Sequence, residues 1–300
     1  HLSTRRQRQM CIRDRLTYTL DSTCYSVIGK QTEAINELDK DDPKYYIKQG
    51  NTTEKYIAEN SIVKVYGRES AEQLIDHCFQ IFGGYGFIEE YPMAQAYRDN
   101  RINKIWEGTN EINKMLCGRA MITKALSGEI GFKEYLEKVD SYCKDGLDSG
   151  YQGDYKDEVE CIEAAKALYA ICLNESLSKH GQDIGTEQVI IENLANILIY
   201  CYVADSTLSR VMQHKDFYET KNQIVPELCA KVYTAEQGIR VMEYTYKILN
   251  NIYNGDIPAD LNAKLDVLKE RLSLSTDTIG LKKIIGEKVV ESGGYPVQSF

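Results

Sequence analysis

Apolar residues recur three and four positions apart along most of this 300-residue chain, and strand-like alternation is nearly absent. The spacing predicts helices, so the expected fold class is all-α. In the segment 186–214 the apolar positions form one stripe, which is typical of an antiparallel helix bundle rather than of a repeat array. The pattern predicts helices near 16–30, 51–82, 93–99, 110–126, 131–145, 155–179, 186–214, 226–253, 259–273 and 278–291.

The long helix near 51–82 has a signal at each end. Asn51 and Glu54 have the spacing of a capping box, which would open the helix after a polar loop over 36–50. Gly83 and Gly84 would end it, because a left-handed residue is needed there. These signals predict one uninterrupted helix between the loop and the glycines. The apolar spacing over 71–82 predicts that the second half of this helix buries one face.

Composition divides the chain into three parts. Residues 1–15 carry five arginines and no apolar stretch, and they look like translated sequencing-adapter sequence, so we expect a non-native, disordered segment. The stretch "SGEIG" after about residue 126 marks a boundary. We therefore predict a bundle domain over 16–125 and an additional C-terminal helical domain over 126–300.

Charge and hydropathy argue against two classes of partner. The net charge is -9, and because residues 1–15 are basic, the rest of the chain is more acidic still. Such a surface disfavours binding to nucleic acid. The longest mostly apolar run, 194–204, is interrupted by Asn196 and is too short for a membrane span.

Cysteine and histidine spacing gives no metal or disulfide signature. The nine cysteines form no C-x-x-C pair and are odd in number, so we expect reduced, buried thiols in an intracellular protein. The four histidines are scattered, and no H-E-x-x-H or zinc spacing is present. We expect no metal site.

One carboxylate, Glu107, lies in a hinge over 107–110, within the stretch "RINKIWEGTNEINKML". Thr109 or Asn110 can act as the N-cap of the next helix, and acidic residues are favourable in first turns. Taken alone, Glu107 is an ordinary helix-opening acid. The "GGYG" at 83–86, taken alone, is a helix C-cap rather than a dinucleotide fingerprint.

The joint pattern changes this interpretation. The segment "QIFGGYGFIEEYP" is followed by "YRDNRINKIWEGTNEI", and "IAENSIVKVYGRESAEQLID" precedes both. This ordered set resembles the last helical domain of the acyl-CoA dehydrogenase family, which carries Q-I-x-G-G-x-G-[FY] and then R-D-x-R-I-x-x-I-[YF]-E-G-T-x-[EQ]-I.

The resemblance implies a catalytic role for Glu107. It would remove the α-proton of an acyl-CoA thioester while the β-hydride goes to FAD, leaving a trans-2-enoyl-CoA. In the family the amide of the base itself and a flavin ribityl hydroxyl donate to the thioester oxygen, so a base at a hinge keeps its N–H available. Gly108 would permit close approach of substrate. Trp106 replaces the usual Tyr or Phe of the family beside the acyl chain.

The same resemblance implies contacts with FAD at two segments. One is the segment that reaches the FAD of a neighbouring subunit, and the other follows the base. The implied FAD-binding residues are Gln80, Ile81, Phe82, Gly83 and Gly84 in the first segment, and Thr109, Asn110 and Glu111 in the second. A homodimer or homotetramer would then complete the site, and an electron-transfer flavoprotein would accept the electrons.

Further expectations follow from the pattern. Arg98 and Asp99 would form a structural ion pair, and Arg101 would orient the hinge. A Glu at the base position and the length after residue 126 favour the long, very-long-chain or bacterial form of the family, and the location expected from this resemblance is a bacterial cytoplasm.

The flavin-holding domains have no counterpart in this sequence, so we expect a fragment that is inactive alone. The alternative hypothesis is a non-enzymatic binding or assembly module that keeps the dehydrogenase scaffold. Coding sequence upstream of residue 16 would distinguish the two.

Overall fold

The computed structural model describes residues 2–220 and 223–297, with side chains described from residue 12 onward. No strand occurs among these residues, which confirms the all-α prediction. The helices are α1 Leu2–Asn36, α2 Tyr45–Lys55, α3 Ile57–Phe82, α4 Pro92–Ile102, α5 Asn110–Ser127, α6 Phe132–Asp145, α7 Lys156–His180, α8 Gln188–Gln213, α9 Lys215–Thr220, α10 Val225–Tyr253, α11 Ala259–Leu272 and α12 Thr278–Ser292. Short 3-10 helices follow α3 at Gly83–Gly86 and α7 at Gly181–Thr186.

The core lies where α7, α8 and α10 pack against one another. Their apolar stripes are wide, because α7 and α8 are buried around most of their circumference. Leu168, Leu194 and Leu249 are fully buried there, and each such side chain contributes about 1.5–3 kcal/mol. Helix α8 alone among the described helices is long and apolar enough to cross a membrane, yet 61% of its most apolar window is buried inside the protein.

The helices that carry the predicted site pack on this core. Helix α3 lies against α5, α1 and α4, and α5 lies against α8. One continuous cluster of buried side chains joins Tyr18 and Ile62 on the N-terminal side to Leu168 and Leu265 on the C-terminal side. Helix α5 ends at Ser127, close to the boundary predicted at 126, but the division into two domains stays a prediction.

Two helical segments, residues 2–15 and α9, differ from the predictions. Helix α1 begins at Leu2, so residues 2–15 are helical rather than disordered; their non-native origin stays a prediction. Arg15 is buried and donates to Glu236 of α10 at 2.6 Å, which links this end of α1 to the core. Helix α9 was not predicted, because its six residues are too few to show a period.

The capping box at 51 and 54 is wrong. Asn51 lies inside α2, which begins at Tyr45, and α3 begins separately at Ile57 without a side-chain cap. Asp42 explains the earlier start, because its carboxylate accepts from the Lys44 amide at 2.7 Å and from the Lys48 ammonium. The predicted loop over 36–50 therefore shrinks to 37–44.

The expectation of buried thiols is confirmed for five of the eight described cysteines, whereas Cys24, Cys78 and Cys143 are only partly buried. Cys117, Cys161, Cys172 and Cys201 are buried and free, and burial raises the pKa of each thiol to about 12. Protonated thiols of this kind behave as small apolar side chains. Within the described residues no group of three or more His, Cys, Asp or Glu side chains could hold a metal ion.

Candidate functional site

The hinge is the segment between the end of α4 at Ile102 and the start of α5 at Asn110. Its backbone first turns tightly, because the Trp106 amide donates to the Ile102 carbonyl at 3.1 Å. The backbone then folds back toward Lys104, because the Asn110 amide donates to the Lys104 carbonyl at 3.0 Å. These two bonds bracket Glu107 and define a loop with ordered backbone.

Glu107 has a left-handed backbone, with φ of 53°, and Gly108 follows with φ of 77°. Glycine adopts this conformation freely, whereas a residue with a Cβ is strained there by about 1–3 kcal/mol. Such strain persists only where surrounding contacts hold it, and it clusters at functional sites. The strained residue here is the carboxylate that the sequence analysis selected.

The residues after Glu107 hold the hinge by local bonds. Thr109 is the N-cap of α5, and its hydroxyl accepts from the Ile112 amide at 3.2 Å. Asn113 Nδ2 donates to the carbonyl oxygens of Gly108 at 2.9 Å and Thr109 at 3.0 Å. A Cβ at Gly108 would lie 3.0 Å from that same amide nitrogen. The predicted N-cap at Thr109 is confirmed, and the alternative at Asn110 is wrong because that residue is already helical.

A lysine of the neighbouring helix also holds the hinge. Lys64 of α3 donates from Nζ to the Gly108 carbonyl oxygen at 2.6 Å and to Asn110 Oδ1 at 3.0 Å. Desolvation, and then the charge of Arg68, lower the pKa of Lys64, while Glu111 and Glu107 oppose the shift. The lysine was missed in the sequence because it lies on a different helix, 44 positions from its acceptor.

The side chain and amide of Glu107 remain open to a ligand. Its carboxylate is exposed, and beside it Trp106 is 51% exposed with Nε1 donating to Asn103 Oδ1 at 3.1 Å. Within the described part of the chain, the amides of Glu107, Gly108 and Thr109 donate to no backbone carbonyl. In the middle of a helix the amide of Glu107 would donate to the carbonyl four residues earlier. At the hinge this N–H is available for a hydrogen bond to a ligand.

Glu111, in the first turn of α5, is an anchored carboxylate. Hydrogen bonding from its own backbone amide, and then from the Thr109 hydroxyl, lowers its pKa. The favourable position of an acid at a helix N-terminus agrees with this direction. The charged form of Glu111 is thus favoured, whereas no hydrogen bond or ion pair to the Glu107 carboxylate occurs among the side chains that the structure describes.

The first predicted FAD-contact segment, residues 80–84, lies at the far end of α3. Gly83 is the C-cap with φ of 59°, which confirms the predicted helix end, and Gln80, Gly83 and Gly84 are exposed. Gln80 lies roughly 24 Å further along α3 than Lys64. The two predicted FAD-contact segments therefore do not form one compact pocket within the described residues.

Exposed aromatic side chains surround this segment. Phe82 packs edge-on against Tyr91, with ring centroids 6.1 Å apart, and Tyr85 lies 5.2 Å from the same ring. Phe87 is 78% exposed. Several exposed aromatic side chains so close together are typical of a contact with another domain or subunit.

Two predicted roles of arginines are wrong. Arg98 pairs with Glu89 through two bonds of 2.7 and 2.8 Å rather than with Asp99, because neighbours in a helix point in different directions. Arg101 is exposed, and among the described residues no side-chain bond joins it to the hinge. Lys64 and Asn113 make the bonds that were expected of Arg101.

Family models match both halves of the chain. A model described as the acyl-CoA dehydrogenase C-terminal domain matches residues 33–122, which include both predicted segments of the site. A second model with the same description matches residues 165–269. Together the two models cover well over half of the chain.

Individual relatives agree with the models. A probable acyl-CoA dehydrogenase of Bacillus subtilis is 28% identical over 271 residues, covering 89% of this chain and 42% of that protein. The mitochondrial very long-chain specific acyl-CoA dehydrogenase of Bos taurus is 32% identical over 181 residues, covering 54% of this chain and 27% of that protein.

A solved structure extends the match to almost every helix. The crystal structure of acyl-CoA dehydrogenase from Bacillus anthracis, complexed with FAD, matches with a TM-score of 0.86 at 26% identity. The match covers 97% of this chain and 49% of that chain, so the chain spans less than half the length of these relatives. The two domain matches, the relatives and the shared fold show that this chain belongs to the acyl-CoA dehydrogenase family.

Proposed function

We propose that the protein carrying these residues dehydrogenates acyl-CoA to trans-2-enoyl-CoA and that Glu107 is the base that removes the α-proton. The observation that supports the proposal best is the hinge geometry, in which the Glu107 carboxylate and amide are both available. Because this chain spans less than half of its relatives, the activity is proposed for the longer protein and not for the chain alone.

The base needs a different environment during the reaction. An exposed carboxylate has a pKa of about 4.3 and is too weak to take an α-proton from a thioester. Enclosure by the acyl chain and by domains outside this chain would raise the pKa of such a carboxyl. Trp106, which is half exposed beside Glu107, would supply part of that enclosure.

The amide of Glu107 has the second role. As the α-proton leaves, negative charge develops on the thioester oxygen, and an N–H already oriented toward that oxygen stabilises it without further reorganisation. Gly108, which lacks a Cβ, permits the thioester to approach the backbone. One short segment would thus place the base and an oxyanion donor on the same residue.

FAD, when bound, supplies the hydride acceptor. The exposed side-chain amide of Gln80 can donate hydrogen bonds to FAD, a ligand rich in acceptors. The backbone at Gly83 and Gly84 is open to a ligand, since a Cβ at either glycine would meet no other atom within 4 Å. Thr109, Asn110 and Glu111 would contact FAD near the hinge, with Ile81 and Phe82 beside the glycine segment. Their separation along α3 supports the proposal that each subunit of a homodimer or homotetramer contributes to two sites.

Three further features are proposed from the family alone. The electron acceptor would be an electron-transfer flavoprotein, the substrate chain would be long, and the protein would act in a bacterial cytoplasm. Copurification of the flavoprotein acceptor and activity across a series of acyl chain lengths would test the first two, and cell fractionation the third.

The test uses protein expressed from the gene together with the coding sequence upstream of residue 16. Its flavin absorbance should be bleached by a saturated acyl-CoA. The Glu107→Gln variant should retain FAD, and its rate of bleaching should be lower by a factor of at least about 10². Glu137→Gln, which changes an exposed carboxylate on α6, is the matched control and should bleach normally. Normal bleaching by Glu107→Gln would exclude this residue as the base.

A reading frame that opens just upstream of residue 16 would instead favour the non-enzymatic module.

A further inference from the structure

The carbonyl group of Gly108 is held from two directions. Lys64 Nζ donates to it at 2.6 Å from α3, and Asn113 Nδ2 donates to it at 2.9 Å from α5. Lys64 also donates to Asn110 Oδ1 at 3.0 Å, and Asn110 and Asn113 are both buried. The ammonium group thereby joins the hinge to the helix behind it.

The hydrogen bonds of Lys64 go to the hinge and not to a carboxylate. Lys104 and Lys114 pair with carboxylates of α3, those of Glu72 and Glu69. Lys179 of α7 resembles Lys64, because it donates to two carbonyl oxygens at the end of α10. Lys64 has no carboxylate within ion-pair distance among the described side chains, and both of its hydrogen bonds go to hinge acceptors. A hydrogen bond from an ammonium ion is stronger than one between neutral groups, so Lys64 restrains the Gly108 carbonyl effectively.

The bond acts on the backbone next to the strained residue. Fixing the Gly108 carbonyl fixes the peptide plane that follows Gly108, and so restricts how the two left-handed residues, Glu107 and Gly108, can rotate. Without that restriction Glu107 can return to negative φ, which would change the directions of its amide and of its side chain. A shift of about 1 Å in a catalytic group can cost about 10²-fold in rate.

We propose that Lys64 is a positioning residue: with Asn113 it holds the Gly108 carbonyl against α3 and keeps Glu107 in the left-handed conformation that presents its carboxylate and amide together. This inference rests on the proposed function for its effect on rate, but the effect on the hinge itself does not. Lys64 acts through the backbone and contacts neither reacting atom.

The first experiment measures the hinge in this chain without any cofactor. Lys64→Met keeps the apolar stem and removes the ammonium, and Lys114→Met makes the same change at a lysine that bonds carboxylates instead. We expect the amide resonances of Gly108, Thr109 and Asn110 to shift or broaden in Lys64→Met and to stay in place in Lys114→Met. Unchanged hinge resonances in Lys64→Met would overturn the proposal.

The second experiment measures flavin reduction in protein expressed with the upstream coding sequence. Per bound FAD, Lys64→Met should reduce flavin about 10–100-fold more slowly, with unchanged acyl-CoA affinity and a larger isotope effect for α-deuterated substrate. Lys64→Arg, which keeps a cationic donor, should recover part of the rate. A rate equal to that of Lys114→Met would overturn the positioning role even if both variants are less stable.

The two experiments also separate this inference from the proposed function. If Glu107→Gln bleaches normally, Glu107 is not the base, and the hinge resonances alone then decide whether Lys64 holds the segment. If Lys64→Met fails to fold, Lys64→Gln and Lys64→Arg provide the same comparison, because only the latter keeps the charge. Equal hinge spectra for these two variants would contradict a role for the ammonium.

Discussion

At the scale of single residues, the hinge concentrates the unusual backbone of this protein. Glu107 and Asn254 are the non-glycine residues with positive φ in the described part of the chain, each at 53°. Asn254 caps the end of α10, a place where asparagine is common. Glutamate has no such tendency, so Glu107 is the residue whose conformation local chemistry does not explain.

The strain at Glu107 can be measured by removing its Cβ. Glu107→Gly should relieve about 1–2 kcal/mol of left-handed strain, which exceeds the roughly 0.5–1 kcal/mol of added unfolded-state entropy. We therefore expect the free energy of unfolding to rise by about 0.5–1 kcal/mol. Urea denaturation of this chain measures the change.

Asn254→Gly is the matched control for that measurement. Because asparagine tolerates the left-handed region, its replacement should change stability less than Glu107→Gly does. A loss of stability in Glu107→Gly would show that its side chain makes a stabilising contact that outweighs the strain.

At the scale of helices, two pairs of helices approach each other closely because a glycine lies where they cross. A Cβ built on Gly118 of α5 would lie 2.5 Å from Ile191 Cγ2 and 3.1 Å from the Ile191 carbonyl oxygen of α8. At Gly238 of α10, a Cβ would lie 2.9 Å from the Cys161 sulfur. Helix α5 carries the hinge at its N-terminus, so the crossing at Gly118 also fixes where the hinge lies relative to the core.

Gly118→Ala should reduce the free energy of unfolding by about 1–3 kcal/mol, because the added methyl group overlaps α8. Gly29→Ala is the matched control. Gly29 lies inside α1, is exposed and has nothing within 4 Å of its Cβ position, so the same change there should stabilise by about 0.5–1 kcal/mol. Thermal denaturation of both variants measures the contrast. An equal effect of the two substitutions would contradict a tight α5–α8 crossing.

At the scale of the whole molecule, the two matched domains share one core. Helix α1 contacts α3 on one side and α8, α10 and α12 on the other, and α5 contacts α8. The buried cluster is therefore continuous across the boundary predicted near 126. Helices that share so much buried surface are expected to unfold together.

Unfolding followed by two probes should give coincident transitions. Trp106, the single tryptophan, reports on the N-terminal part, and far-UV circular dichroism reports on all helices. We expect the same urea midpoint from both, because neither part keeps a complete core without the other. Two separated midpoints would instead indicate that the parts before and after residue 126 fold independently.

The sequence determined those features that depend on contacts within one or two helical turns. Helical periodicity placed α5–α8 and α10–α12 close to their observed bounds, Gly83 ends α3, and Thr109 caps α5. The order of motifs around Glu107 was also sufficient to identify the family, which the comparisons then confirmed. Each of these signals lies within a short stretch of chain, so no knowledge of the packing was needed.

Tertiary structure alone decided the contacts between residues far apart in the chain. Periodicity predicted a buried face over Ala71–Phe82, yet the second half of α3 is only half-buried and ends in an exposed aromatic surface. Lys64 reaches the Gly108 carbonyl because α3 packs on α5, and no local pattern marks that bond. The chain sequence thus indicates that Glu107 lies at a hinge, whereas helix packing determines which groups hold it there and how its carboxylate and amide are presented.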